Sequence, residues 1–274
     1  MTRPADRDRN RDRVRVAPSG EWWASYFDAR YLTEYEPLFN DGQDRRDVAR
    51  LIDLLALPVG ARILDVPCGQ GRHARLLAEA GYAVDALDYS AHLLGVARAE
   101  GARDGLHYRR GDMRALPVRW THRFDAVMNV FTSFGFFLHP SDDRRVLREF
   151  ARVLKPGGTF VWHGASRDGV MARFLDRDWW HTADETFVAH ERTFDPLSGV
   201  LTVDVQWRGS AGPGHRTYRI RLYTATALAA MLADEGIVIE QAFDGWTPRP
   251  LTRRSGEMVL IGRKRELPRA TRAK

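Results

Sequence analysis

The sequence predicts an α/β fold: a doubly wound, mostly parallel sheet with N-terminal helices and a small antiparallel β insert. Strand-like apolar runs alternate with helical patterns over residues 63–159, which is typical of a parallel sheet with helices on both faces. The same order resumes over residues 222–263. Between these halves, apolar and polar residues alternate strictly, which is typical of half-buried antiparallel strands.

Two helical segments are expected before the first strand. Residues 22–39 are rich in aromatic side chains, and residues 47–56 carry apolar side chains at helical spacing. The aromatic segment includes Trp22, Trp23, Tyr26 and Tyr31. Aromatic faces attract cations by about 0.5 to 2 kcal/mol, so this segment can close over a cationic ligand, although packing in the core explains the same residues almost as well.

The most informative segment joins the first strand to the next helix through an acidic turn that contains glycine. Residues 63–71 read Ile-Leu-Asp-Val-Pro-Cys-Gly-Gln-Gly, and such glycines let a ligand approach the backbone beside a helix N-terminus. Two further strands end in acids, at Asp88 and Asp112. One acid alone explains a helix cap equally well, but three at successive strand ends favour a cofactor site.

The order and spacing of these acids resemble the class I, Rossmann-like methyltransferases that use S-adenosyl-L-methionine. A fourth strand over residues 124–130 and the Leu-Lys-Pro-Gly-Gly-Thr turn at residues 154–159 fit the same pattern. The resemblance covers residues 21–263 and implies a seven-stranded sheet, with N-terminal helices over 21–57 and a cofactor-binding core over 61–163. It also implies that the acceptor is a small molecule.

The resemblance implies a set of cofactor-binding residues. Asp65, Gly69 and Gly71 are implied for the methionine end, Asp88 for the two ribose hydroxyls, Tyr89 for the adenine, Asp112 with Met113 for the adenine amino group, and Asn129 with Val130 for the wall of the site. Pro67 departs from the family pattern, because many members have a glycine there, and proline fixes φ near −65°. Cys68, inside the turn, is interpreted as a packing residue beneath the ligand rather than a nucleophile.

A dinucleotide-dependent dehydrogenase is the closest competing enzyme. Residues 69–74 fit G-x-G-x-x-A, and Asp88 lies near the position expected for a ribose ligand. However, Asp65 would repel the two charges of a pyrophosphate at this turn. The chain also has no second domain large enough to present a substrate to a nicotinamide ring.

The alternation of apolar and polar residues predicts three strands within an insert that is expected over about residues 165–222. They are predicted near residues 186–194, 201–207 and 217–222, with a glycine-rich turn at 209–214. A cover over an acceptor site and a homodimer interface explain the insert equally well. A helix over 224–234 and strands near 238–243 and 258–262 are expected to complete the sheet.

Composition and charge limit the class of protein. The chain has 274 residues, 44% of them hydrophobic, and one cysteine, which favours one large intracellular domain without disulfides. No apolar run approaches the roughly 20 residues of a membrane span, and a cytoplasmic location is expected. The net charge of +6 comes from the ends, because residues 1–20 carry +3 and residues 263–274 carry +5, which leaves −2 for residues 21–262. Basic, disordered tails over 1–20 and 264–274 are therefore expected rather than a nucleic-acid surface.

The acceptor side is less constrained by sequence. The candidates are Tyr26, Tyr31, His139, His163, His181 and His190, and for each histidine a structural role is the stronger expectation. The fourth strand ends in Asn-Val-Phe-Thr at residues 129–132, without the Asn/Asp-Pro-Pro-Tyr/Phe run that amino methylases of nucleic-acid bases and of protein glutamine show in this family. No Cys or His cluster has zinc-ligand spacing, so no metal is expected.

The leading hypothesis is a methyltransferase that moves a methyl group to N or O of a small organic acceptor, mainly by proximity and orientation. Two alternatives stay open. One is an RNA or protein methyltransferase that uses the basic tails. The other is a non-catalytic module that binds S-adenosylmethionine.

Overall fold

The computed structural model describes residues 21–210 and 212–266. Its helices are α1 Trp23–Tyr26, α2 Ala29–Tyr35, α3 Asp41–Leu55, α4 Arg72–Glu79, α5 Ala91–Ala99, α6 Pro140–Val153, α7 Arg167–Ala172 and α8 Ala225–Asp234, with 3-10 turns at Glu36–Leu38 and Val118–Trp120. Its strands are β1 Arg62–Asp65, β2 Ala83–Asp88, β3 Leu106–Arg110, β4 Phe124–Asn129, β5 Leu154–Ala165, β6 Arg177–His181, β7 Phe187–Asp195, β8 Val200–Gly209, β9 Gly212–Arg221, β10 Ile237–Asp244 and β11 Glu257–Lys264.

Seven strands form one sheet in the order β10-β11-β5-β4-β1-β2-β3. The pairs among β1 to β5 are parallel, and β11 lies antiparallel between β5 and β10. Both faces are covered, because one apolar cluster packs α6 and α8 against the sheet and a second packs α3 and α4 against it. The doubly wound, mostly parallel fold predicted from the sequence is confirmed.

The second sheet is antiparallel and consists of β6, β7, β8 and β9. Val188, Val203 and Val205 are fully buried on one face of it, which explains the period-two pattern in the sequence. The predicted antiparallel insert is therefore present. Strand β6 was not predicted, because Arg-Asp-Trp-Trp-His at residues 177–181 shows no clear alternation.

Several element boundaries differ from those predicted, and two of the differences have a clear physical reason. Helix α3 begins at Asp41, six residues before the predicted start, because the Asn40 side chain accepts a hydrogen bond from the backbone N–H of Gln43 (3.0 Å) and caps a polar first turn. Lys264 was assigned to the basic tail but ends β11, where its ammonium donates to the carbonyls of Ala151 and Leu154. The tail predicted over residues 1–20, and residues 267–274 of the tail predicted over 264–274, lie outside the described residues.

Within residues 21–210 and 212–266, no helix combines the length and the apolarity that crossing a bilayer requires.

Candidate active site

A cavity of about 850 Å³, counting its open mouth, lies at the carboxyl ends of β1, β2 and β4. This is the edge of a doubly wound sheet where the strand order reverses and where ligands bind. The residues that line it are Trp23, Phe27, Tyr31, Asp65, Pro67, Cys68, Gly69, Gln70, Arg72, His73, Leu87, Asp88, Tyr89, Leu93, Gly111, Asp112, Met113, Val130, Phe131, Ser133, Phe136 and Phe137. We call this space the cofactor cavity.

The turn after β1 is shaped by two glycines with positive φ. Gly69 has φ +55° and donates its N–H to Asp88 Oδ2 (2.8 Å), which ties the turn to the end of β2. Gly71 has φ +77°, and a Cβ there would overlap the hydroxyl of Tyr108. Gly71 does not line the cavity, although its predicted role in cofactor binding would require it to do so. It lets α4 start close to β3 instead.

Asp65 and Asp88 are two buried carboxylates on the cofactor cavity. Asp65 is 1% exposed, and its Oδ1 has no hydrogen-bond partner among the described residues. Burial, with the nearby charge of Asp88, raises the pKa of Asp65 to about 8. Burial also raises the pKa of Asp88 to about 6, although the backbone N–H groups of Ser90 and Gly69 stabilise its carboxylate.

These two carboxylates fit the cofactor that the sequence predicts. A buried carboxylate oxygen without a partner is costly unless a ligand donates to it, and the ammonium group of a methionine moiety is such a donor. Asp88 closes the second strand, where a carboxylate can accept both hydroxyls of a ribose. A pyrophosphate, in contrast, would bring further negative charge against Asp65.

Asp112 lies on the cavity wall, but its carboxylate is already engaged. Arg114 donates to both oxygens of Asp112, at 2.7 to 3.1 Å, and also binds Glu21 at 2.7 Å. Through Arg114, the Asp112 carboxylate therefore helps to hold Glu21 in place, in addition to any contact that it makes with a ligand. Met113 beside it is 8% exposed and lines the cavity.

The remaining predicted wall residues are divided. Val130 lines the cofactor cavity, whereas Asn129 is fully buried behind it and donates its side-chain amide to the carbonyls of Val66 (2.8 Å) and Ser133 (3.4 Å). Asn129 therefore holds the two turns that form the wall and does not line the site as predicted. Tyr89 lines the cavity, with its ring edge-to-face against Trp23 at 4.8 Å.

Pro67 and Cys68 both line the cavity, and the Val66–Pro67 peptide bond is cis. Burial raises the pKa of the Cys68 thiol well above its usual value, with the charges of Asp88 and Asp65 adding to the shift. A thiol that stays protonated is a poor nucleophile. This agrees with the interpretation of Cys68 as a packing residue.

Aromatic side chains from α1, α2 and the segment between them cover the cofactor cavity. Trp23, Phe27 and Tyr31 line it from this side. Phe131, Phe136 and Phe137 line it from the segment after β4. The sequence predicted an aromatic cover over residues 22–31 as one of two alternatives but missed the second group, because nothing in the pattern distinguished those rings from core residues.

A second, larger space lies beside the first and measures about 2,250 Å³, counting its open side. We call it the acceptor chamber. Both spaces are lined by Phe27, Tyr31, Phe131, Ser133 and Phe136, and we call these five residues the throat. The insert contributes Leu201, Tyr218 and Ile220 to the chamber wall.

The structure separates the acceptor-side candidates. Tyr26, Tyr31 and His163 line the acceptor chamber. His139 is exposed at the start of α6 and lines neither space, so its predicted place on the acceptor side is wrong. His181 lies exposed on β6, and His190 is buried beside Trp180, outside both sets of lining residues.

Burial raises the pKa of both Tyr26 and Tyr31 well above the usual value for a phenol. Neither hydroxyl can therefore act as a base at neutral pH. His163 is bonded through both ring nitrogens, to the N–H of Phe131 (3.2 Å) and to Glu257 (3.2 Å).

A buried ion pair holds the aromatic cover against the insert. Arg216 on β9 is paired with Glu34 on α2, which is fully buried, and lies over the ring of Tyr26 at 3.8 Å. Its guanidinium also donates to the Tyr26 carbonyl (2.9 Å) and to Asp28 (3.2 Å). One side chain of the insert thus fixes both helices that cover the throat.

Comparison with known proteins places this geometry in a family. Residues 63–158 match a family model described as a methyltransferase domain. A ubiquinone biosynthesis O-methyltransferase from Xanthomonas oryzae pv. oryzae is 31% identical over 74% of this chain and 87% of its own length. A malonyl-[acyl-carrier protein] O-methyltransferase from Enterobacter lignolyticus is 30% identical over 76% and 77%.

A solved structure shows the same fold. The CcbJ methyltransferase from Streptomyces caelestis superposes with a TM-score of 0.73 at 20% identity, over 85% of this chain and 96% of that one. The fold, the family model and the two relatives agree, and they exclude the dehydrogenase alternative. The chain belongs to the class I methyltransferases, enzymes that use S-adenosyl-L-methionine as the methyl donor.

Proposed function

We propose that this enzyme methylates N or O of a small organic acceptor that binds in the acceptor chamber, while S-adenosylmethionine binds in the cofactor cavity. The observation that carries the proposal is the throat, where the two spaces share five lining residues. Two reactants bound next to each other at these shared residues can be held in line, and this ordering can lower a barrier by roughly 7 to 11 kcal/mol. When bound, S-adenosylmethionine supplies an electrophilic methyl group on a sulfonium.

Each cofactor contact is assigned to a residue of the cavity. Asp65 receives the ammonium of the methionine moiety, and Asp88 accepts the two ribose hydroxyls. Tyr89 and Met113 pack against the adenine. Trp23, Phe27 and Tyr31 present aromatic faces from the cover, which favours a sulfonium by about 0.5 to 2 kcal/mol.

The transfer itself needs few groups from the protein. S-adenosylmethionine, held by Asp65 and Asp88, would supply the methyl carbon to the acceptor atom and leave as S-adenosylhomocysteine, and the acceptor would release its proton to solvent in the chamber. General base catalysis would add about 10²- to 10⁴-fold. However, burial raises the pKa of all four tyrosines that line the chamber, so their hydroxyls stay protonated; they are Tyr26, Tyr31, Tyr35 and Tyr218. We therefore assign the main effect to orientation at the throat.

Two observations support a small acceptor over RNA. The chamber is enclosed by the insert on one side and α2 on the other, and residues 21–262 carry a net charge of −2.

The outer face of the insert exposes Trp179 (66%) and Phe187 (38%), with ring centroids 5.9 Å apart. These exposed rings support a homodimer formed through this face, and nucleic acid is not proposed as a partner.

Filling the chamber tests the proposal. Ala165 lines the acceptor chamber but not the cofactor cavity, so Ala165→Phe should reduce the formation of S-adenosylhomocysteine at least about tenfold with active amines or alcohols, the equivalent of about 1.4 kcal/mol. Its affinity for S-adenosylhomocysteine, measured by calorimetry, should stay within about threefold. Ala49→Phe, on the exposed face of α3, is the matched control. Turnover on RNA or protein alone, with none across amine and hydroxyl metabolites, would contradict the proposal.

A further inference from the structure

One wall of the acceptor chamber holds a fixed carboxylate. His163 on β5 is 5% exposed, and its Nδ1 accepts a hydrogen bond from the backbone N–H of Phe131 (3.2 Å). The ring proton of the neutral imidazole is therefore on Nε2, which donates to Glu257 Oε2 at 3.2 Å. Glu257 starts β11, and its side chain is 61% exposed and lines the chamber.

A second carboxylate, Asp47 on α3, lines the same chamber. Burial raises the pKa of Asp47, and the charge of Glu257 is among the causes that add to the shift. The hydrogen bond from His163 is the main cause that lowers the pKa of Glu257. Both carboxylates thus line one chamber, and Glu257 stays ionised at neutral pH.

The cations of the chamber do not neutralise this pair. Arg249 is paired with Asp244 at 3.3 Å, Arg46 donates to the side-chain oxygen of Gln43 at 2.7 Å, and Arg173 donates to the carbonyl of Arg254. Among residues 21–210 and 212–266, no lysine or arginine lies within 4 Å of the carboxylate of Asp47 or Glu257. Like charges in a partly enclosed space are costly, and a cationic ligand would offset that cost.

The position of this pair favours a ligand that also reaches the throat. His163 is bonded to Phe131, which is a throat residue. The ring of Trp246 packs on His163 with centroids 5.0 Å apart and lines the chamber. The His163 ring therefore joins Glu257 to Phe131 of the throat, and the aromatic ring of Trp246, which can attract a cation, lines the same chamber.

We propose that the acceptor carries a protonated amine, and that Glu257 and Asp47 bind this ammonium group in the acceptor chamber. His163 is a positioning residue, because it fixes the Glu257 carboxylate. This inference rests on the proposed function, since it names the class of acceptor that the chamber takes.

Matched pairs of small molecules test the inference. 2-Phenylethylamine is compared with 2-phenylethanol, and cyclohexylmethylamine with cyclohexylmethanol, by calorimetry on the full-length protein saturated with S-adenosylhomocysteine. A hydrogen bond to a charged group corresponds to roughly 10- to 100-fold in affinity, and the amines should bind more tightly than the alcohols by that factor. Equal affinity, tighter binding of the alcohols, or no binding of either member would overturn the inference.

Three variants locate the effect. Glu257→Gln can still accept from His163 but has no charge, so it should remove most of the amine preference while changing the affinity for S-adenosylhomocysteine by less than about twofold. Asp244→Asn, whose carboxylate is already paired with Arg249, is the matched control and should keep the preference. His163→Asn should raise KM for an amine acceptor with kcat nearly unchanged, as expected for positioning. An unchanged preference in Glu257→Gln would overturn the inference.

The two proposals fail separately. A protein that binds no S-adenosylhomocysteine refutes the proposed function. A protein that binds it but binds the amines no more tightly than the matched alcohols refutes only the amine assignment.

Discussion

The cofactor cavity and the acceptor chamber meet at the throat, yet they are assembled from different parts of the chain. Most of the cofactor cavity comes from the ends of β1, β2, β3 and β4 and the turns that follow them, between residues 65 and 137. The chamber combines α2, α3, the end of β5, the insert and the turn before β11. The first site is thus determined mainly by local backbone geometry, whereas the second depends on long-range contacts such as the Arg216–Glu34 pair.

The largest effect is expected when the long-range ion pair between Arg216 and Glu34 is broken. Arg216→Met removes the partner of Glu34, which is fully buried, and should lower the free energy of unfolding by about 3 to 5 kcal/mol. Urea denaturation measures this loss. Adding Glu34→Gln should recover part of it, because the uncompensated buried charge is then gone. A loss below about 1 kcal/mol would mean that the pair does not hold the cover on the insert.

The next largest effect is expected when the local backbone geometry of the turn after β1 is changed. Gly71→Ala places a Cβ at φ +77° where it overlaps Tyr108, so the free energy of unfolding should fall by about 2 to 5 kcal/mol from the sum of overpacking and backbone strain. Gly60→Ala is the control, because Gly60 has φ +84° but no atom within 4 Å of the added Cβ. Its loss should be only about 1 to 2 kcal/mol. Equal losses in the two variants would contradict the role given to Tyr108.

Asp88→Ala tests the carboxylate that closes β2. Two hydrogen bonds from ribose hydroxyls to a charged group should be lost, so the affinity for S-adenosylhomocysteine should fall by about 100-fold or more in calorimetry. Asp85→Ala, on the same strand, removes a carboxylate that pairs with Arg123 outside the cavity and serves as the control. An affinity within about threefold of the unmodified protein would refute the assignment of Asp88.

The pH dependence of cofactor binding tests the roles assigned to Asp65 and Asp88. Asp65 has its pKa raised to about 8 and Asp88 to about 6, so both carboxyls are partly protonated in the free protein at neutral pH and below. A ligand that needs the ionised forms must displace these protons. Its affinity should rise between pH 6 and pH 8, by at most about tenfold per pH unit and per carboxyl that ionises.

Calorimetry at several pH values measures how the affinity for S-adenosylhomocysteine changes with pH. Asp65→Asn should remove the rise in affinity above pH 7. An affinity for S-adenosylhomocysteine that is flat or falls from pH 6 to pH 8 would contradict the assignment of Asp65.

The smallest expected effect concerns His139. Because this side chain is exposed and lines neither space, His139→Ala should leave kcat/KM within about twofold in a methyl-transfer assay. A loss above about tenfold would show that the segment before α6 reaches the acceptor.

The contrast between the two regions explains how much could be predicted from the sequence. The acids at the ends of β1 and β2 and the glycine turn have fixed spacings, so Asp65, Gly69 and Asp88 were predicted correctly to lie together. Asn129 was expected on the wall of the site and Gly71 at the methionine end, because the same spacing does not tell which way the Asn129 side chain points or what packs against Gly71. Their contacts with Val66 and Tyr108 are tertiary.

The chamber could be predicted only as an insert of uncertain role. His163 and Glu257 are 94 residues apart and meet because β5 pairs with β11. Arg216 and Glu34 are 182 residues apart. No periodicity or motif in one sequence encodes such pairs, so the carboxylates of the chamber were not expected.

A crystal structure with S-adenosylhomocysteine tests the central claim most directly. The account predicts the ligand in the cofactor cavity, with both ribose hydroxyls within hydrogen-bond distance of Asp88, the ammonium at Asp65, and the sulfur facing the throat. A ligand bound elsewhere, or one whose sulfur points away from Phe131 and Ser133, would contradict the claim that methyl transfer occurs through this opening.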